Sequence, residues 1–261
     1  MILIDSSKQG IQLDSGYSHL RISAEKRTEL SHFCELSSAY EILSTKALLC
    51  NNLNNFTGTS EYEKRGIDAS FLGCTFIACL SHGTSNDLWS DFGDNHRGVK
   101  FLFKYNGAFH DAVFDKKRKV KAYSKNGNLI ADLGFCVSLM NSRNIFSVSN
   151  FNTDVVVDLL LSDVDYTNVS PDSTLVVGDK RFLNLSNFSR TVLQTFASEF
   201  ETRIICILRS TRENMMEEID HLLIPIDFSR CSINLIFGKR AKPAEKTEMI
   251  RRLNQVCSDT E

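Results

Sequence analysis

Apolar and polar residues follow two spacings along the chain, and together these predict a fold of mixed helices and strands. Val99–Lys104 alternates apolar residues with lysines, which predicts a strand with one buried face. Apolar runs at residues 74–80, 203–208 and 231–237 predict further strands, because runs this short fit buried strands better than helices. Several strands must therefore share one apolar core.

Helical spacing appears in other parts of the chain. We expect helices over residues 39–49, 86–92, 181–196 and 244–256. Asn106-Gly107, directly after the strand that ends at Lys104, is a typical hairpin signal and predicts a second strand beside it. The whole pattern predicts one α+β domain over residues 1–261, with a mostly antiparallel sheet, flanking helices and an N-terminal extension over 1–28.

Composition and charge narrow the class of protein. The 261 residues are 42% hydrophobic and 24% charged, which suffices for a full core in an ordinary soluble protein. A formal net charge of -2 argues against wholesale coating of nucleic acid. No apolar run approaches the roughly 18 residues of a membrane span, so no membrane partner is expected. The N-terminal residues lack a signal-peptide pattern, which favours the cytoplasm.

The cysteines and histidines do not have the spacing of metal ligands. The chain has eight cysteines and six histidines, but no CxxC pair and no HExxH motif. Several cysteines, such as Cys206, lie inside apolar runs, where a reduced thiol behaves as a small hydrophobic group. We therefore expect mainly core thiols and no bound metal.

Residues 89–98 concentrate groups that neither a core nor a loop requires. They read Trp-Ser-Asp-Phe-Gly-Asp-Asn-His-Arg-Gly and precede an apolar strand. This segment resembles the signature of an uncharacterised, mainly bacterial family, domain of unknown function 2971, which usually has Tyr where this chain has Phe92. Weaker similarities to the same family lie at residues 31–34, 40–43, 54–61, 199–203 and 236–239. The family name implies no activity.

A second, distant resemblance does imply one. A histidine before a helix, an aromatic residue on a later helix and a glutamate at the start of a late buried strand resemble the ADP-ribosyltransferase fold. The resemblance implies that His32 holds the adenosine-side ribose of NAD, Phe92 stacks on nicotinamide, and Glu201 contacts the ribose whose bond breaks. It also implies an ADP-ribosyltransferase-like fold and NAD as substrate, without a metal. Cys34 stands where the family's His-x-Ser/Thr motif has a hydroxyl.

The residue types suit that chemistry. Breaking the bond between nicotinamide and ribose develops positive charge, which a carboxylate stabilises and an aromatic face accommodates. Glu201 is the expected catalytic carboxylate. Glu199 lies two residues away, and the period of two on a strand puts both carboxylates on the same face, where Glu199 could activate the acceptor. Arg203 shares that face and would pair with these acids or hold a phosphate.

Each assignment has a structural alternative. His32 could cap the following helix, and the Glu199-x-Glu201-x-Arg203 pattern could be a salt-bridged edge strand. Trp89 is predicted to contact the cofactor, although core packing is its alternative. The polar turn at residues 94–97 could bind substrate or simply bond to itself between helix and strand.

A basic run adds a possible nucleic-acid surface at Lys116, Lys117, Arg118 and Lys119. We expect residues 116–125 to form a hairpin arm that holds a phosphate backbone, with a solvated rim as the alternative. The predicted function is NAD-dependent mono-ADP-ribosylation of a macromolecule, preferably DNA or RNA, as in bacterial toxins and antiviral defence effectors. A protein acceptor, a catalytically silent nucleotide-binding module and a nuclease are alternatives, the last disfavoured because no acid cluster has metal-site spacing.

Overall fold

Sixteen strands and four α-helices make up the described part of the chain. A computed structural model describes residues 2–4, 9–12, 26–56, 73–136, 155–166, 174–177, 180–184, 190–191, 194–210 and 218–258. The strands are β1 Ile2–Ile4, β2 Gln9–Gln12, β3 Glu29–Cys34, β4 Ala47–Asn52, β5 Thr75–Ser81, β6 Val99–Lys104, β7 Val120–Tyr123, β8 Leu129–Cys136, β9 Val155–Asp163, β10 Asp165–Tyr166, β11 Thr174–Val177, β12 Lys180–Asn184, β13 Arg190–Thr191, β14 Glu201–Ser210, β15 His221–Pro225 and β16 Ser232–Phe237. The helices are α1 Leu36–Thr45, α2 Asn86–Asp91, α3 Phe109–Val113 and α4 Pro243–Ser258, with 3-10 turns at Leu53–Phe56 and Gln194–Glu199.

One large sheet organises the domain. Its strand order is β14-β9-β8-β7-β15-β4-β5-β3-β6-β16, and β14 also pairs with β5, so seven of these strands close into a ring. Every pairing in the ring is antiparallel except that of β8 with β9. The expected α+β domain with a mostly antiparallel sheet is therefore confirmed. β1, β2, β12 and β11 form a separate four-stranded sheet, and β10 pairs with β13.

Strand β5 is the point where the sheet branches. β14 occupies one edge of β5 along Thr75–Ser81. The other edge pairs with β4 at Ile77 and with β3 at Ser81. Two strands therefore leave the same edge of β5 at different levels, and α1 connects them. This fork opens a space between the ring and the β3-β6-β16 extension.

The core fills the inside of the ring. On β4, Leu48 and Cys50 are fully buried while Leu49 and Asn51 turn outward, as the period of two requires. Phe76 on β5 and Ile204 on β14 point inward in the same way and are also fully buried. Burying a Leu, Ile or Phe side chain fully stabilises the fold by about 1.5–3 kcal/mol. The outward residues of the same strands form the floor of the site.

Several predicted elements match the structure. Strands β5, β6, β14 and β16 and helices α2 and α4 lie where the apolar spacing places them. The strand Val99–Lys104 has the expected buried face, formed by Val99, Phe101 and Phe103, but its other face is exposed only toward Lys104. Lys100 is only 8% exposed, because Phe33 and Thr84 cover its side chain. No helix in the described ranges is long and apolar enough to cross a membrane.

The helix expected at 39–49 is wrong at its end. Helix α1 stops at Thr45 because Lys46 adopts a left-handed φ of 52°, and Ala47–Asn52 then alternates between core and surface as β4. The hairpin expected after Asn106-Gly107 is also wrong. Gly107 turns the chain with a φ of 83°, but α3 follows instead of a strand.

The helix expected at 181–196 is wrong as well. The described residues of this stretch belong to β12, β13 and the 3-10 turn Gln194–Glu199, since pairing of β12 with β2 and β11 overrides the weak helical spacing. The loop similarity at 54–61 falls partly outside the described residues, as does most of the extension at 1–28.

Candidate functional site

An open cleft of about 910 Å³ lies where β3 and β4 separate. Its floor is the outward face of the ring, with Leu49, Asn51 and Cys79 among the lining residues, and α1 forms one wall through Glu41 and Ile42. A volume of this size suits a nucleotide or a similarly large ligand. The cleft gathers His32, Cys34, Phe92, Glu199 and Glu201, all predicted from sequence.

Glu201 and Arg203 form a buried ion pair at one end of the cleft. Nε of Arg203 lies 2.7 Å from Oε1 of Glu201, and Nη2 lies 2.9 Å from Oε2. The side chains are only 7% and 4% exposed. The expectation that both residues share a strand face is thus confirmed, and the pairing alternative for Arg203 is the one observed. Only Glu201 of the pair lines the cleft.

Cys79 lies beside this pair on β5, directly opposite Arg203. Its surface is open to the cleft, yet burial and the neighbouring Glu201 carboxylate raise the pKa of the thiol well above its usual value. The cysteine is therefore a neutral thiol rather than a thiolate nucleophile. Cys34, Cys50, Cys74, Cys206 and Cys231 are buried as expected, whereas Cys257 is exposed.

Glu199 reaches the cleft from a different element. It ends the 3-10 turn Gln194–Glu199, and Phe200 separates it from β14 with a left-handed φ of 48°. The expected placement of Glu199 and Glu201 on one strand face is therefore wrong. The Ser81 hydroxyl donates to the Glu199 carbonyl at 2.7 Å, which fixes this turn against β5. Gly83 makes room for the Phe200 ring, which would lie 2.4 Å from an added Cβ.

His32 lies on β3 within the cleft. Nδ1 is 3.0 Å from the Cys79 carbonyl oxygen, and because a carbonyl only accepts, Nδ1 carries the proton. Burial lowers the pKa of the imidazole, partly offset by this hydrogen bond. Glu35, not His32, occupies the N-cap of α1, so the helix-capping alternative is wrong. A neutral His32 with an acceptor Nε2 suits contact with a ligand hydroxyl.

Cys34 also lines the cleft, but as a weak hydrogen-bonding group. Burial and the nearby Glu35 carboxylate raise the pKa of its thiol to about 12. The side chain is 6% exposed, so little of it is available to a ligand. A thiol at this position cannot replace a strong hydroxyl donor.

The two aromatic residues of the signature have different surroundings. Phe92 is 44% exposed at the end of α2 and lines the cleft. Trp89 packs edge-on against Phe33 at 5.0 Å and stacks on His96 at 6.1 Å, and it is not among the cleft-lining residues. The packing alternative therefore describes Trp89, while Phe92 offers an open ring face.

The polar turn after α2 is bonded to itself. Asp94, Asn95 and His96 all have positive φ, between 47° and 68°. Arg97 pairs with Asp94 at 2.8 Å, and backbone bonds run from residues 95–98 back to residues 89–94. The Gly238 N–H donates to the Gly98 carbonyl at 3.0 Å, which joins this turn to the end of β16. These bonds support the structural alternative, in which the turn connects helix and strand, over the one in which it binds substrate.

The basic run does not form the expected arm. Lys116, Lys117 and Arg118 lie in a turn before β7, and the hairpin that follows is β7–β8. The Lys116 ammonium pairs with Asp111, and the Arg118 guanidinium donates to the Thr45 and Lys46 carbonyls at the end of α1. Lys117 and Lys119 are exposed. Half of the run thus has structural partners.

Sequence reasoning missed a cluster at the far side of the cleft. Nδ1 of His221 lies 3.1 Å from Oδ2 of Asp220, and the imidazole stacks on Tyr123 at 5.4 Å with 10° between the rings. Nδ2 of Asn55 donates to Oδ1 of Asp220 at 3.1 Å. Tyr123, Asp220 and His221 all line the cleft. The adjacent Asp-His pair at the start of an apolar run was the available signal.

Neither a metal-binding cluster nor a known relative indicates what binds in the cleft. Within the ranges described, no group of three or more His, Cys, Asp or Glu residues could hold a metal ion. Comparison with protein-family models, with curated proteins and with solved structures finds no match to this chain. Its function must therefore be inferred from the cleft.

Proposed function

We propose that this protein binds NAD in the cleft and transfers ADP-ribose to a macromolecule. The observation that carries the proposal is that His32, Phe92 and Glu201, three residues far apart in sequence, line the same cleft. These are the residues to which the resemblance to ADP-ribosyltransferases assigns the adenosine-side ribose, nicotinamide and the reacting ribose. An ADP-ribosyltransferase-like fold, and membership of domain of unknown function 2971, belong to the same proposal.

Each residue has a role that follows from its surroundings. The open face of Phe92 accommodates the cationic nicotinamide ring. His32, neutral and fixed by the Cys79 carbonyl, accepts a hydrogen bond from a ribose hydroxyl through Nε2. Glu201 stabilises the positive charge that develops as the bond to nicotinamide breaks, and Arg203 holds its carboxylate in one orientation.

Glu199 is the proposed acceptor-side carboxylate. It lines the same cleft as Glu201 but belongs to the separate 3-10 turn, so it approaches from another direction. The electron pair of the broken bond leaves with neutral nicotinamide, and an acceptor oxygen or nitrogen bonds to the ribose carbon. The acceptor's proton passes to Glu199. Two carboxylates on separate elements suit these two separate tasks.

Nicotinamide release from NAD tests the proposal. Glu201→Gln should lower release by about 100-fold or more, because it removes a preorganised charge at the reacting centre. Glu218→Gln is the matched control, since Glu218 is exposed and is not among the cleft-lining residues. Circular dichroism of both variants checks their fold, because Glu201→Gln also removes the charged partner of the Arg203 guanidinium. Wild-type release rates in folded Glu201→Gln would refute the assignment.

Nucleic acid is the proposed acceptor, and the exposed charges of Lys117 and Lys119 support it. Replacing both with Ser should reduce binding to DNA or RNA and flatten the log-log salt dependence by up to about one unit per lost contact. NAD hydrolysis without acceptor should stay nearly unchanged. If the wild type binds neither nucleic acid at low salt, a protein acceptor becomes the better hypothesis.

A catalytically silent nucleotide-binding module is the second candidate. The observation that favours it is the bidentate ion pair, because Arg203 already engages both carboxylate oxygens of Glu201. In that case NAD binds but no nicotinamide is released. Calorimetric titration of NAD beside the release assay separates the two functions, since only the enzyme gives both signals.

A further inference from the structure

We infer that Tyr123, Asp220 and His221 form an adenine-binding subsite at the end of the cleft remote from Glu201. The inference rests on the proposed function, which requires a ligand with two nucleotide halves. Nothing in the sequence assigns a role to these residues, yet all three line the cleft. An aromatic ring beside directional polar groups is the usual composition of a nucleobase site.

Strand register places the cluster on the cleft floor. Tyr123 lies opposite His221, His221 opposite Asn51, and Asn51 opposite Ile77 on β5. Directly opposite residues point to the same face of a sheet, so this row runs along the floor of the cleft. Ile77 in turn lies opposite Ile205 on β14, the strand that begins with Glu201.

The same register gives the separation of the two ends. His221 and Glu201 are three strand spacings apart across the sheet and four residues apart along it. Measured along the surface of the curved sheet, this corresponds to roughly 20 Å. His221 is thus too far from Glu201 to exchange a proton at the reacting ribose. It is placed instead to contact the other end of an extended ligand.

His32 lies between the two ends. β3 and β4 share one edge of β5, with Ser31 at the level of Ser81 and Asn51 at the level of Ile77. Because β3 runs antiparallel to β5, His32 follows Ser31 toward the Ile77 level. A ligand that places its reacting ribose at Glu201 and its second ribose at His32 therefore directs its terminal base toward Tyr123 and His221.

The hydrogen-bonding groups favour adenine over guanine. A carboxylate only accepts, so Nδ1 of His221 donates to Asp220, and in this Nδ1–H tautomer Nε2 is the acceptor. Asn55 holds the second oxygen of Asp220 and so fixes the orientation of the pair. Adenine has an amino donor at position 6, where guanine has a carbonyl acceptor. Nε2 of His221 can therefore accept a hydrogen bond from that position of adenine but not of guanine. Tyr123 supplies stacking surface.

AMP and GMP binding, measured by calorimetry on the full chain, test the subsite. Wild type should bind AMP more tightly than GMP. Tyr123→Ala should weaken AMP binding by about tenfold, whereas Tyr123→Phe should change it by less than about twofold, because base stacking needs the ring and not the hydroxyl. Asp220→Asn should reduce the preference for AMP, since the amide no longer fixes Nδ1 of His221 as the donor.

The outcomes separate this inference from the proposed function. Absence of AMP binding by the wild type at millimolar concentration, or unchanged AMP affinity in folded Tyr123→Ala, overturns the subsite. If Tyr123→Ala fails to fold, AMP competition against NAD in the wild type decides, and a lack of competition overturns the subsite. Nicotinamide release with no AMP effect leaves the enzyme proposal intact, and AMP binding without release supports the subsite alone.

Discussion

Removing one partner of the Glu201–Arg203 pair should destabilise the protein strongly. Arg203→Met leaves the Glu201 carboxylate within the protein without its bidentate partner, and both side chains are nearly buried. Breaking a buried pair from one side costs about 3–5 kcal/mol, against about 0–1 kcal/mol for an exposed pair. Glu201 borders the cleft, where water can reach it, so we expect a value near 3 kcal/mol.

Urea unfolding measures this effect. With a slope of about 2–3 kcal/mol per molar for a chain of this size, the midpoint should fall by about 1 M or more. Glu201→Leu combined with Arg203→Met should recover much of the loss, because no charge is left buried. The matched control is Glu248→Gln on α4, whose carboxylate makes an Arg251 bond of the same type at 2.8 Å in solvent and should matter far less. A loss below about 1 kcal/mol for Arg203→Met would refute the reasoning, since it would mean that solvent screens the pair.

Four further outcomes are expected. Phe92→Ala should weaken NAD binding while Phe92→Tyr preserves it, because the ring face provides the contact; equal affinities in a titration would argue against stacking. Asn95→Gly should leave stability unchanged or raise it by up to about 1 kcal/mol, and Asn95→Val should lower it by about 1–2 kcal/mol, as judged by thermal unfolding, because φ is 48° there. The pKa of His32, measured by NMR titration and assigned with His32→Asn, should lie below 6.5. The neutral imidazole then stabilises the fold fully above pH 6.5, and this contribution is lost as the pH falls from 6.5 to the pKa of His32 in the folded protein. Arg118→Ser should cost about 1 kcal/mol through the lost contacts at the end of α1, and no change in unfolding would show that those contacts are idle.

Sequence spacing predicted the elements whose pattern is purely local. The strand Val99–Lys104 and the helix that includes Trp89 have clear periods, and the structure has both. The end of α1 was missed because Lys46 is an ordinary residue that adopts a left-handed conformation. The stretch that forms β12 was missed because its conformation depends on pairing with distant strands.

The candidate site divides in the same way. His32, Phe92 and Glu201 were found because they belong to motifs that can be read along the chain. Asp220 and His221 were not predicted, because an adjacent Asp-His pair is a weak sequence signal and its contact with Tyr123 depends on the fold. The local sequence does not predict which residues of separate strands lie opposite one another in the sheet.

The fork at β5 also determines when the cleft can exist during folding. One end of the cleft requires the Ser81 hydroxyl to reach the Glu199 carbonyl across 118 residues of chain, and the other side needs Asn52 to bind the Ile219 carbonyl across 167. Contacts of such sequence separation form slowly, because their loop-closure entropy must be overcome before they contribute stability. The nascent chain therefore has no cleft until β14 and β15 have been synthesised and have joined the ring. A ligand of this cleft binds only the completed protein, and it shifts the folding equilibrium toward that state.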